Sequence, residues 1–124
     1  MMVKDAYIKH KGKFNVLVNW DSLKMTQKRL SDIATVLGGK RLSAILRNYA
    51  EDFKFWNHGM PDLILWNKET SVVKFSEVKS ENDHLSEVQK AWLNYFSDAE
   101  IPCEVCYVNV AHEDSIDIFT KSRY

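Results

Sequence analysis

The residues best suited to chemistry are Gly59-Met60-Pro61-Asp62 and, after a gap of fourteen residues, Glu77-Val78-Lys79. Side chains alternate along a strand, so Glu77 and Lys79 project from one face, with Val73 and Phe75 on that face behind them. A face that passes from two apolar residues to an acid and a base is leaving the core and entering a site. A short hairpin would return Asp62, at the mouth of the preceding strand, to the side of Glu77. Two carboxylates and an ammonium group would then converge.

That set suits metal-assisted hydrolysis of a phosphodiester. Mg²⁺ and Mn²⁺ prefer oxygen ligands, and Mg²⁺ is usually held by one or two carboxylates plus water and substrate phosphate. Such an ion polarises the scissile phosphate, lowers the pKa of a bound water and counters transition-state charge. Lys79 could orient or deprotonate the attacking water, or stabilise the phosphorane. The spacing does not choose between these roles.

The elements that must position these groups can be read around them. Leu63–Trp66 is a short apolar strand, Asn67–Ser71 a polar turn and Val72–Lys79 a second strand. Ser86 and Gln89 form an S-x-x-Q capping box that opens a helix running to about Ser97, with Trp92, Leu93 and Phe96 on its buried face. Ile101-Pro102 ends that run, and Cys103–Val110 returns as a strand before a polar tail. Upstream, Phe14–Trp20 has the composition of a strand. A helical period starts at Thr26, passes through Leu30, Ile33, Ala34 and Leu37, and meets a stop at Gly38-Gly39. A second helix places Leu42, Ile45, Leu46, Tyr49 and Phe53 on one stripe. The pattern predicts an α/β fold, a mixed β-sheet flanked by helices.

Composition limits the alternatives. The 124 residues are enough for one domain, and 45% hydrophobic with 27% charged residues is a globular balance. The formal net charge is zero, but it is unevenly spread. Residues 1–48 hold ten basic and three acidic residues, and residues 49–124 hold seven basic and fourteen acidic. A basic half that could meet phosphates thus adjoins an acidic half that contains the candidate metal ligands. The longest aliphatic run, Val16-Leu17-Val18, is far short of a membrane span, and the first five residues carry no signal-peptide core. Cys103 and Cys106 have no second pair to complete a zinc site, and on one strand they face opposite ways. They read as small hydrophobes of a reducing, intracellular compartment.

Pro61-Asp62, Glu77-Val78-Lys79 and the downstream Gln89 resemble the PD-(D/E)XK nuclease core. More narrowly the chain resembles the VRR-NUC domain, in particular that of the Fanconi-anaemia-associated nucleases. The likeness runs from Val18-Asn19-Trp20-Asp21 through Leu37-Gly38-Gly39 and Ala50-Glu51-Asp52-Phe53 to Asn82-Asp83, Leu85-Ser86 and Cys103-Glu104-Val105-Cys106. It implies a restriction-endonuclease-like core and a Mg²⁺- or Mn²⁺-dependent nuclease. It further implies 5′-flap endonuclease and 5′→3′ exonuclease action on DNA, in interstrand cross-link repair in the nucleus, with protein partners of that repair. Asp62 and Glu77 would bind metal, completed by the main-chain carbonyl of Val78. Lys79 would be the catalytic lysine, Gln89 would support the site, and Lys54 would hold substrate phosphate.

The chain departs from the family at two places. The family's site also draws a glutamate from a helix well upstream, and this chain has no Glu before Glu51. Val88 stands where a second phosphate-binding basic residue is found. The expectation is a single VRR-NUC domain over residues 1–124 that lacks the upstream helix and other regions of a longer enzyme. Two alternatives stand beside it: a small homodimeric four-way-junction resolvase, and a catalytically inert DNA-binding module of the same fold. Trp56 and Trp66 flank the Pro-Asp segment and read as core. His58 and His84 lie near it without an assigned role.

Overall fold

The structure, a computed structural model, describes residues 5, 8–10, 26–110 and 116–121. The strand expected at Phe14–Trp20 lies outside the described residues. Thr26 caps the first long helix, α1 (Gln27–Glu51), its side chain accepting from the Arg29 N–H. Gly38 ends the first helical run, as expected, and separates it from a second one within this span. At φ 74°, ψ 163° it leaves helical geometry for one residue, and the chain resumes at once. Asp52 then caps a single turn, α2 (Phe53–Trp56), accepting from the Phe55 N–H at 3.0 Å.

Among the described residues, four strands form one sheet in the order β1 (Leu63–Asn67), β2 (Val72–Ser80), β3 (Cys103–Val110) and β4 (Ile116–Lys121). β1 and β2 form an antiparallel hairpin, β2 and β3 are parallel, and β3 and β4 are antiparallel. Parallel neighbours need a long crossover. Here it is α3 (Glu87–Asp98), opened by the Ser86/Gln89 capping box that the sequence predicts. The mixed α/β sheet is as expected. The polar tail is not, because its residues 116–121 add an edge strand.

The core lies between the sheet and the helices. Trp92, Leu93 and Phe96 of α3 are fully buried against Val73, Phe75 and Val105 of the sheet, with Ile33, Val36, Leu37 and Ile45 of α1 in the same cluster. Trp56 and Trp66 are half-buried against it, as core residues. Two members of the expected stripe are exposed instead, Leu46 at 56% and Phe53 at 45%. Leu46 lies outside the face used by Ile45 and Asn48, and the Asp52 cap interrupts the helical phase before Phe53. Cys103 is buried, its thiol donating to the Leu93 carbonyl at 3.7 Å, and Cys106 is half-buried. Among the described residues no helix is long and apolar enough to cross a membrane.

Candidate active site

β1 pairs with β2 only as far as Leu63 opposite Ser76. Glu77, Val78 and Lys79 therefore run on past the end of β1, while β3 still pairs with them on the other side. Asp62 occupies the freed edge. Its Oδ2 accepts from the Val78 N–H at 2.9 Å, in place of the missing strand. A strand residue presents its N–H and C=O to the same side, so the Val78 carbonyl faces the Asp62 edge too.

Glu77 and Lys79 share the core-facing side of β2, and both are buried: the Glu77 side chain is 1% exposed and that of Lys79 7%. Glu77 Oε1 receives the Lys79 Nζ at 3.1 Å and also a hydrogen bond from Gln89 Nε2. The other end of the Gln89 amide accepts from the Ser86 N–H at 2.9 Å. Gln89 thus fastens the start of α3 to β2, and its two bonds fix which way the amide points. Glu77 Oε2 is buried and has no hydrogen-bond partner among the described residues. A buried oxygen without a partner is a rare feature that an ion or water can explain. The unsatisfied Oε2, the Asp62 carboxylate and the Val78 carbonyl are all hard oxygen donors, which fit Mg²⁺ or Mn²⁺. Among the described residues no group of three or more His, Cys, Asp or Glu side chains gathers. The donor set therefore holds two carboxylates.

Burial pushes the Glu77 carboxyl above its ordinary 4.5, the Asp62 charge adds to this, and Lys79 opposes it. For Lys79, burial favours the neutral amine, but the Glu77, Asp83 and Asp62 carboxylates outweigh it and hold the ammonium above 10.5. A raised carboxyl pKa means that the folded metal-free chain binds the Glu77 proton more tightly than the unfolded chain does. Its stabilising contribution is full below about pH 4.5 and is lost as pH rises through the raised value. Relative to Glu77→Gln, wild type is expected to lose stability as pH rises from 4.5 through that window. Paired thermal melts in EDTA across the window check this.

Gly59 sets the approach of the Pro-Asp segment to α3, a role the sequence reading did not assign. It has φ +75°, and a Cβ there would lie 2.9 Å from Val88 Cγ1 and 3.2 Å from the Gln89 backbone nitrogen. Val88, half-buried, thus packs beneath this turn. Gly59→Ala is expected to lose about 2–4 kcal/mol from the left-handed backbone and the clash together, read by urea unfolding. Asp83 was also missed as a neighbour of Lys79. Its Oδ2 is 3.7 Å from the ammonium, and its N–H donates to the Ser80 carbonyl in the turn after β2. An acid four residues after the lysine was the available signal. Lys54 is exposed on α2, and His58 and His84 are exposed. Glu51, the exposed last residue of α1, makes none of the bonds around Glu77 or Lys79.

The VRR-NUC domain model matches residues 2–110 of the chain. The chain belongs to the VRR-NUC family. A Schizosaccharomyces pombe protein, Fanconi-associated nuclease 1 homolog, is 38% identical over 112 residues, covering 89% of this chain and 16% of that protein. Human Fanconi-associated nuclease 1 is 37% identical over 106 residues, covering 86% of this chain and 10% of the human protein. The crystal structure of paFAN1 bound to DNA with a two-nucleotide 5′ flap and a gap superposes with a TM-score of 0.81 at 27% identity. That match covers 90% of this chain and 20% of paFAN1. The VRR-NUC chain thus spans at most about a sixth of the curated relatives named here.

Proposed function

We propose that this VRR-NUC domain is the catalytic part of a divalent-metal-dependent, structure-specific DNA nuclease. The observation that carries the reading is the buried Glu77–Lys79 pair with its unsatisfied oxygen, set beside the Asp62 carboxylate on the freed edge of β2. Asp62, Glu77 and the Val78 carbonyl would hold Mg²⁺ or Mn²⁺. When bound, such an ion supplies Lewis-acid polarisation of the phosphate and a more acidic water.

The chain's own residues do the rest. Hydrolysis forms one P–O bond from water and breaks one P–O ester bond, and the leaving oxygen takes up a proton. The Glu77, Asp83 and Asp62 carboxylates favour the Lys79 ammonium in the metal-free protein, and as an ammonium it would serve as a hydrogen-bond donor. From the edge of the site it would direct a hydrogen bond to the phosphoryl oxygens or to the attacking water. Gln89 keeps the Glu77 carboxylate aimed, and Lys54 would anchor a substrate phosphate.

DNA with a 5′ flap is the proposed substrate, with 5′-flap endonuclease and 5′→3′ exonuclease action in interstrand cross-link repair in the nucleus. The Fanconi-associated relatives and the flap-bound paFAN1 structure support that choice. The 124 residues are proposed to form one nuclease domain that works with further regions of a longer enzyme. The test is cleavage of a labelled 5′-flap duplex in Mn²⁺ and in EDTA, by wild type, Asp62→Ala and Lys79→Ala. Cleavage in Mn²⁺ by wild type alone is expected. Cleavage in EDTA, or full activity in either variant, overturns the assigned site.

One observation favours a second reading, an inert DNA-binding module of the same fold. The site holds two carboxylates and, among the described residues, no third. Such a module has no need of the cation, so metal binding separates the two readings.

A further inference from the structure

On the core-facing side of the sheet, β3 repeats what β2 does. Along β2 that face passes from the buried Val73 and Phe75 to Glu77 and Lys79. Along β3 it passes from the buried Cys103 and Val105 to the half-buried Tyr107 and Asn109. The parallel register sets Phe75 opposite Cys103, Glu77 opposite Val105 and Lys79 opposite Tyr107, so these residues share one face. Asn109 is the next residue of β3 on that face. Strand spacing and rise put it diagonal to Lys79, about 8 Å away between Cα atoms.

The strand ends are stepped. β1 stops opposite Ser76 and β2 stops at Ser80, opposite Val108. Asn109 therefore runs past the end of β2, while β4 still pairs with it on the other side. The turn after β2, closed by the Asp83 N–H on the Ser80 carbonyl, brings the Asp83 carboxylate back towards Lys79. Lys79, Asp83 and Asn109 thus border the end of β2.

Hydrogen-bonding capacity is left over there on both sides. Asn109 Oδ1 is shielded from solvent and has no donor among the described residues. The Lys79 ammonium carries three N–H groups. Glu77 takes one at 3.1 Å, and Asp83, at 3.7 Å, is beyond hydrogen-bond length. A shielded acceptor that lacks a donor, near an ammonium with N–H groups to spare, suits one ordered water.

We propose that Asn109 is a positioning residue of the nuclease site, its amide oxygen aiming the Lys79 ammonium through one shared water. The water accepts from Lys79 and donates to Asn109. The inference rests on the nuclease reading and adds the group on β3 that opposes the pull of Glu77 on the lysine. With two N–H directions fixed, by Glu77 and by the water, the third is set for a phosphoryl oxygen or the attacking water.

Two variants and two readouts test this. Asn109→Leu keeps the shape and removes the acceptor, whereas Asn109→Asp keeps an oxygen in place. Single-turnover cleavage of a 5′-flap duplex in Mn²⁺ should slow about tenfold in Asn109→Leu, the size of one lost hydrogen bond. Asn109→Asp should stay within about threefold of wild type, and Asn109→Leu should keep the melting temperature and the flap affinity measured in EDTA. The second readout needs no turnover. In the metal-free chain labelled with ¹⁵N-lysine, the Lys79 ammonium signal, identified by its loss in Lys79→Met, should show a cross-relaxation peak to bound water. That peak should vanish in Asn109→Leu. An unchanged rate in Asn109→Leu, an equal loss in Asn109→Asp, or a water peak absent from wild type or surviving in Asn109→Leu overturns the proposal. So does a slower rate accompanied by weaker flap binding and a lower melting temperature, which would make Asn109 structural. Wild type that cuts nothing in Mn²⁺ while the water peak behaves as expected removes the nuclease reading and leaves the Asn109–water–Lys79 link.

Discussion

Lys79→Met is expected to lower the single-turnover rate of flap cleavage by about 10²–10⁴, the range for losing one positioned donor or proton-transfer group. The same change acts on stability. Methionine keeps the length and apolar stem but leaves Glu77 buried without its cation. Breaking a buried ion pair costs about 3–5 kcal/mol, and the low end applies because Glu77 escapes part of the cost by taking up a proton. If Glu77 is also a metal ligand, Mn²⁺ supplies the positive charge that the variant lacks. Mn²⁺ should therefore raise the melting temperature of Lys79→Met more than that of wild type. Stopped-time cleavage assays and melts with and without Mn²⁺ read both effects. An equal response to Mn²⁺ in the two proteins would remove Glu77 from the metal site.

The second large effect is expected at Trp92. Its side chain is fully buried, and its ring contacts Tyr49, Trp56 and Phe96 at centroid distances of 5.6, 4.7 and 5.4 Å. Trp92→Ala removes this hub and should cost about 3–5 kcal/mol. For a domain of this size that corresponds to a fall in Tm on the order of 10–20 °C. The indole N–H also holds the His58 carbonyl, so the residue connects the core to the segment leading into Asp62. Trp92→Phe separates the two contributions. It keeps most of the buried ring, loses the donor, and should cost about 1–3 kcal/mol with a slower cleavage rate.

The parts of the site that were legible in the sequence depend on short-range periodicity. Alternation in β2 put Glu77 and Lys79 on one face, and the hairpin brings Asp62 back to them. The S-x-x-Q pattern located the start of α3, and there one residue serves two purposes. Gln89 closes the cap through its oxygen and reaches Glu77 through its nitrogen. What was not legible depends on tertiary neighbours. The residues of β4 read as a polar tail because their partner β3 supplies what makes them a strand. The tie between Asp32 of α1 and Lys68 of the β1–β2 turn, 2.7 Å long, joins residues 36 apart in sequence and has no local pattern. The unpaired Glu77 oxygen is likewise a result of burial, which no spacing reveals.

Titration of the chain with Mn²⁺ by calorimetry tests the central claim, that Asp62 and Glu77 together hold a divalent cation, most directly. Saturable binding is expected in wild type and should be lost or greatly weakened in Asp62→Asn and in Glu77→Gln, both checked for folding by circular dichroism. Absence of binding in wild type, or equal binding in folded variants, would contradict it.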